Sequence, residues 1–176
     1  MASLAYADIL AGNVFIGSTA VAGVALPIST GTAVTCALWN TSTTRNALLL
    51  GVAIGYTSGT IALGEFGIAN QAAGNQVTAG AAVTAATTGT PKNALLGAGT
   101  SSAMTFIPAT LTLATGGIAA QWLGKSIESA TAGLGIFDGY RWLDCPMILP
   151  PGQLAFLCGS VAQTALFTCS MIWQEI

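Results

Sequence analysis

Large and small, apolar and polar positions alternate along much of this chain with a period of two, the spacing of a strand whose successive side chains point to opposite faces. Residues 46–56 are the clearest case: Leu48, Leu50, Val52, Ile54 and Tyr56 fall on one parity, Ala47, Leu49, Gly51, Ala53 and Gly55 on the other. The pattern predicts a strand with one large-residue face and one small-residue face, the latter open to close approach by a second sheet or a neighbouring subunit. Thr57-Ser58-Gly59-Thr60 reads as a turn, and residues 61–69 as the returning strand. Upstream, residues 33–39 predict a strand that ends at Asn40, followed by the polar surface loop of residues 41–45.

Downstream, Met104, Phe106, Leu111 and Leu113 alternate with Thr and Ala around Pro108, and residues 117–123 read as a further strand. Asp138-Gly139, between Ile136-Phe137 and Tyr140-Arg141-Trp142, carries the strongest hairpin signal, because a type I′ turn needs positive φ at both central positions. Pro150-Pro151-Gly152 predicts a rigid turn into a strand over residues 153–158. The final strand, residues 165–173, sets Ala165, Phe167, Cys169, Met171 and Trp173 on one face against Leu166, Thr168, Ser170 and Ile172 on the other.

Gly is frequent, at 22 copies, and Thr and Gly recur in a way that favours strands and turns over helices. Residues 71–90, almost entirely Ala, Thr, Gly, Val, Asn and Gln, fit a long loop, small-residue strands, a mobile arm or local helix. The expected fold is all-β: an antiparallel two-sheet β-sandwich, jelly-roll-like, of about eight or nine strands. No linker or composition break divides residues 1–176, so a single domain is expected, with residues 1–13 as its docking arm.

Charge changes the picture. Only 4 basic and 6 acidic residues occur in 176, or 6% charged, against about 25% in a typical soluble domain. A folded monomer of 17.5 kDa exposes roughly 7,900 Å² by surface scaling, or about one ionisable group per 800 Å². With a mean hydropathy of +0.72, such a surface is expected to be covered by other copies or by a partner. The uncharged stretches over residues 9–44 and 145–174 are too broken by Gly, Pro, Thr, Ser and Gln to read as membrane-spanning helices. No basic segment followed by an apolar core opens the chain, so synthesis in a cytoplasm is expected.

The same composition argues against several chemistries. With no His, the commonest general base and metal ligand is missing, and Ser-His-Asp and Cys-His schemes fail. Arg45, Lys92, Lys125 and Arg141 are far apart in sequence, so no phosphate-binding run is present and nucleic acid is not an expected partner. Glu65, Glu128 and Glu175 share no motif that would pair two of them as glycosidase carboxylates. The Gly133-Leu134-Gly135-Ile136-Phe137-Asp138-Gly139 run lacks phosphate-loop spacing and reads as a turn. Asp138 and Asp144 flank Arg141, which suits an ion pair better than a Ca²⁺ site.

Cys36, Cys145, Cys158 and Cys169 show no metal-ligand spacing and are expected as free thiols. A tight final hairpin about Gln163 would set Cys158 opposite Cys169. Neither a cofactor nor a metal is implied. Trp39, Trp122, Trp142, Tyr56 and Tyr140 are candidate contact aromatics, Tyr140 and Trp142 foremost. Asn40-Thr41-Ser42 matches a glycosylation sequon, which is irrelevant if the chain is made in a bacterium.

Two segments resemble small virion structural proteins of tailed bacteriophages. One runs from Leu38-Trp39-Asn40 through residues 46–60, a short polar loop, an apolar strand and a small-residue turn. The other is the Pro150-Pro151-Gly152 turn with its Ala-containing hairpin closing on Trp173-Gln174-Glu175. The resemblance implies a jelly-roll protein displayed on the virion, most often a trimeric head-decoration (cement) protein, sometimes a tail or fibre component. It supplies no catalytic residues. The expectation is therefore a non-enzymatic capsid decoration protein, partnered by its own copies as a trimer and by the major capsid protein. The alternative is a receptor- or carbohydrate-binding module of a tail or fibre. The interface residues expected from position are Met1, Ala2, Ser3, Leu4 and Tyr6 in the arm and Asp138, Tyr140, Arg141 and Trp142 at the hairpin tip.

Overall fold

A computed structural model describes residues 7–71, 89–97, 99–113, 116–125 and 139–176. Those residues form β1 (Val14–Ser18), β2 (Val24–Ala25), β3 (Ala33–Val34), β4 (Ala37–Trp39), β5 (Ala47–Ser58), β6 (Glu65–Gln71), β7 (Lys92–Asn93), β8 (Thr105–Ile107), β9 (Leu111–Thr112), β10 (Gly117–Lys125), β11 (Gly139–Leu149), β12 (Leu154–Gly159) and β13 (Leu166–Glu175). Helix among them is confined to one turn at residues 7–10.

The first sheet runs β11-β5-β13-β1-β7, with β2 also on β13, and the second runs β10-β6-β12-β4-β8. Eight principal strands, β1, β4, β5, β6, β10, β11, β12 and β13, pair as nested antiparallel partners: β6 with β10, β5 with β11, β4 with β12 and β1 with β13. Numbered one to eight, they lie in the order 1-8-3-6 in one sheet and 2-7-4-5 in the other, which is the jelly roll, a long antiparallel ribbon rolled into two facing sheets. The all-β sandwich is thus the fold of this chain.

The inner faces make one core. Phe15, Leu49, Val52, Ile54, Phe167, Met171 and Trp173 of the first sheet meet Leu38, Phe66, Ile68, Phe106 and Leu157 of the second. Trp173 stacks between Phe15 and Phe106, with centroids 6.2 and 6.4 Å away, while Phe66 meets Phe167 edge-on at 5.1 Å. Gly17 lies under the Phe106 ring, where a larger residue would have no room.

A second core, not anticipated from the sequence, lies outside the second sheet. There β3 and β9 pair as a small third sheet, and Val34, Leu111 and Leu113 cover Ala37, Trp39, Ile107, Leu154, Phe156 and Cys158. The middle of the second sheet is therefore buried on both faces, and β12 is buried at every position. The device is Cys36, the one non-glycine residue with positive φ among the described residues, at 46°. It turns the chain from the cover into the second sheet, so the single strand expected over residues 33–39 is two strands in different layers. Left-handed backbone at a residue with a Cβ costs about 1–2 kcal/mol, which the burial around it offsets.

Two further expectations change. Along β5 the inward residues are Ala47 and Leu49, then Val52 and Ile54, so neither parity of the alternation stays on one side. The pairings of β5 with both β13 and β11 skip Leu50, Leu49 facing Trp173 and Met147 while Gly51 faces Ile172 and Trp142. One extra residue flips every side chain beyond it to the opposite face. Cys158 and Cys169 are not opposed in a hairpin either. They lie in different sheets, Cys158 in the outer core and Cys169 in the inner one, and Gln163 instead binds the loop before β6, through Ala62 N–H at 3.0 Å and Ala62 C=O at 3.1 Å.

Candidate interaction surface

The two sheets are finished differently. One outer face carries the third sheet, whereas no layer among the described residues covers the outer face of the first. Its outward residues follow from the pairing register. Ile16 of β1 sits beside Ile172 of β13 and Lys92 of β7, Ser18 beside Ser170, Leu48 of β5 beside Ile148 of β11, and Ala53 beside Tyr140. Ser18 and Ser170 share a hydrogen bond at 2.8 Å and Thr168 donates to Gly55 C=O at 3.3 Å, so the hydroxyls on this face are engaged locally. Ile, Leu, Ala and Ser make up the middle together with Thr168 and Gln174 of β13, with Lys92 at one margin. A sheet face of that composition, half-exposed and without a charge at its centre, has the depletion of ionic groups found in the middle of protein interfaces.

The face continues onto one side of the sandwich. Both long edge strands, β10 and β11, lie there, while the opposite side ends in the short strands β7 and β8. Edge strands offer unpaired backbone groups to another chain, and a long one invites pairing. Between the two edges opens a cavity of about 290 Å³ lined by Ala120 of β10, Asn70 of β6, Met147, Ile148 and Leu149 of β11, and Leu154 of β12. Ile148 is 59% exposed, Ile118 54% and Trp122 42%.

Edge aromatics are laid over glycines of the neighbouring strand. Trp122 pairs with Gly67 and its ring occupies the space of the missing side chain, since a Cβ on Gly67 would fall 2.6 Å from Trp122 Cε3. Tyr140 does the same over Gly51, with its hydroxyl where a Cβ would be. Part-covered in this way, the Tyr140 phenol is pushed up to about 12 by burial and stays neutral at physiological pH. Bulges between Ala119 and Gln121 and between Trp122 and Gly124 interrupt β10, and residues 143–146 of β11, with Pro146, are skipped in its pairing with β5. These irregularities leave short regular stretches for any added strand, so side-chain contact carries more of the surface than backbone pairing.

Of the residues singled out from sequence, Tyr140 and Arg141 are exposed on β11, and the backbone of Trp142 pairs with Gly51. Met1, Ala2, Ser3, Leu4, Tyr6 and Asp138 lie outside the described residues, as does Glu128. Of residues 7–13, expected to belong to a docking arm, Gly12 and Asn13 are bonded to the body. Asn13 C=O accepts Glu175 N–H at 2.9 Å and Gly12 C=O accepts the Asn93 amide at 2.7 Å. Trp39 is fully buried and Tyr56 donates its hydroxyl to Gly59 C=O at 2.6 Å. Asn40 of the sequon is buried, with its amide donating to Arg45 C=O at 2.9 Å and Leu149 C=O at 2.7 Å, so it is closed to modification in the fold.

The remaining polar cluster is structural. Glu175, buried at the end of β13, accepts bonds from Ser102 Oγ at 2.7 Å, Ala103 N–H at 2.8 Å and Arg45 Nη1 at 3.1 Å. It joins three segments remote in sequence, and the described residues contain no group of three or more His, Cys, Asp or Glu arranged for a metal. Of the four basic residues, Arg45 is at the β4–β5 turn, Lys92 on the β7 edge, and Lys125 and Arg141 on β10 and β11 on the side away from β7.

No helix of the described residues is long and apolar enough to cross a membrane. Comparison with protein-family models, with curated proteins and with solved structures found no match.

Proposed function

We propose that this chain is a non-enzymatic structural subunit of a virus particle, a decoration protein that forms a homotrimer on the head of a tailed bacteriophage and fastens neighbouring major capsid subunits. The observation that carries the reading is the outer face of the first sheet, which no layer among the described residues covers, continuous with the β10–β11 side, in a chain with only 6% charged residues. Its jelly-roll fold and its resemblance to small phage virion proteins are consistent with that role, although the fold alone serves many functions.

The mechanism is mechanical. Burying apolar surface between copies and against the shell stabilises the assembly by about 25 cal/mol per Å² of apolar area removed from water. A standard interface of about 800 Å² per partner fits within one sheet face and its adjoining edge. The load of packaged DNA is then shared across subunit junctions.

Sedimentation velocity tests the assembly. Wild type is expected as a trimer of 17.5 kDa chains, and Ile148→Glu, which alters an exposed side chain, as a monomer with an unchanged urea midpoint. Wild type that sediments as a monomer at high concentration, and leaves particles unbound, overturns the proposal. Copy number on purified particles tests the location: hundreds accord with decoration, a few to dozens with the tail or fibre.

A further inference from the structure

The β10–β11 side of the sandwich is hollowed, and the opposite side, at β7, bears a knob. The hollow is the cavity of about 290 Å³, whose lining includes the exposed Ala120 and Ile148 and the carboxamides of Asn70 and Gln153. The knob is Leu96, 87% exposed in the turn that follows β7, with Gly97 at φ 89° beside it and open space around Gly97 and Gly99. Pairing registers set the two at one level of the strands. Ile148 of β11 faces Leu48 of β5, Leu48 faces Gln174 of β13, and Gln174 faces Val14 of β1. Val14 C=O in turn accepts Ala94 N–H at 2.8 Å, two residues before Leu96. A single row across the first sheet therefore runs from the cavity on one side to within two residues of the knob on the other.

We propose that Leu96 of one copy seats in the β10–β11 cavity of the next, so that the homotrimer is a ring of identical head-to-tail contacts about an axis running along the strands; this rests on the homotrimeric reading of the chain. A three-fold ring cannot set one patch against itself and needs two different patches that fit each other. Rotation about an axis moves nothing along it, so knob and cavity must stand at one height, or the contact propagates as an open helix. The row from Ile148 to Ala94 meets that condition. The surfaces also match in chemistry. Leu96 brings an apolar side chain to a lining of mainly Ala, Met, Ile, Leu and Pro, and its turn brings peptide groups to Asn70 and Gln153. Asn70 Nδ2 donates to Gln71 C=O at 3.0 Å, which leaves Oδ1 as an acceptor for a partner's N–H. With β10 of 9 residues, ~30 Å long, and two sheets with their side chains ~20 Å thick, one side offers ~600 Å² per copy, the lower end of a specific interface. Each chain of a ring buries two such sides.

Leu96→Glu and Ala120→Glu test the pairing on the full chain. Both positions are exposed, so each variant is expected to keep the wild-type urea midpoint. In sedimentation velocity each alone is expected to fall from the trimer to a 17.5 kDa monomer. Mixed in equal amounts, the two are expected to form a dimer. The intact Leu96 of the Ala120→Glu chain still fits the intact cavity of the Leu96→Glu chain, whereas the reverse contact is blocked in both halves and the ring stays open. That complementation also shows that both variants are folded. A trimer that survives either substitution overturns the knob and cavity and leaves the homotrimer standing. A mixture that stays monomeric shows that the two sites do not meet each other, and an open filament or a dimer of wild type overturns the ring. Wild type that is itself monomeric removes the homotrimer together with this inference.

Discussion

Truncating Glu175 to Ala removes the acceptor that fastens residues 102–103 and Arg45 to the end of β13. The cost can be worked contact by contact. Hydrogen bonds to a charged acceptor contribute about 1.5–3 kcal/mol each, and two of the three, from Ser102 Oγ and Ala103 N–H, end on a carboxylate that is itself buried. Ser102 keeps a second acceptor in Met104 C=O at 3.2 Å, which lowers its share, whereas Ala103 N–H has only water to turn to. The Arg45 pair is discounted, because that side chain is 56% exposed and such pairs are worth about 0–1 kcal/mol. The sum is about 3–4 kcal/mol, a large part of the 5–15 kcal/mol of an ordinary domain. With an m-value of about 2 kcal/mol/M, the urea midpoint followed by circular dichroism falls by about 1.5–2 M.

Glu175→Gln keeps an oxygen for Ser102 and Ala103 and turns a donor toward Arg45, so about 1 kcal/mol is expected, and Arg45→Ala should cost less than that. A loss under 1 kcal/mol for Glu175→Ala, or an Arg45→Ala variant as unstable as Glu175→Ala, would show that anchoring of residues 102–103 is not what this carboxylate does.

Other consequences are as direct. Cys158 is held at about 12, against 9 when unfolded, because burial disfavours the thiolate; the folded state therefore keeps a proton that the unfolded state loses, and this contribution to stability is lost as pH rises from 9 toward 12, by about 1.4 kcal/mol per pH unit. Urea titrations at pH 8, 9 and 10 on wild type and Cys158→Ala should show a shallower decline in the variant, and parallel declines would contradict it. Gly67→Ala should displace the Trp122 ring, lowering stability by about 1–3 kcal/mol and red-shifting tryptophan emission; an unchanged spectrum would mean the ring is not seated there. Trp39 is buried with its indole N–H unpaired, so Trp39→Phe removes an unsatisfied donor together with some packing area and should cost about 1 kcal/mol or less in urea unfolding, well below the 3–5 kcal/mol of a Trp→Ala truncation.

Much of the fold is legible in local pattern because a strand buried on one face declares itself by alternation. Residues 165–173 announce their inward Phe167, Cys169, Met171 and Trp173, and Pro150-Pro151-Gly152 announces a turn that the structure realises with Gly152 at φ 83°. Composition carries as much: with 22 glycines and few charges, the chain is marked as turn-rich and as poorly covered for a free monomer. Those statements need only neighbours in sequence.

The rest depends on contacts between residues far apart. A single unpaired residue, Leu50, reverses which side of β5 faces inward, and nothing in the alternation of residues 46–56 marks it, because the bulge exists only against the registers of β13 and β11. The left-handed turn at Cys36 is tolerated because burial on both sides of the second sheet offsets its strain, so it too is invisible until β3 and β9 have met. The candidate surface has the same origin. Ile16, Leu48, Ile148 and Ile172 come from four strands, and what leaves them part-exposed rather than in a core is that the third sheet settled on the other side of the sandwich. Which apolar residues exist was written in the chain; which of them remain uncovered is a property of where the layers stack.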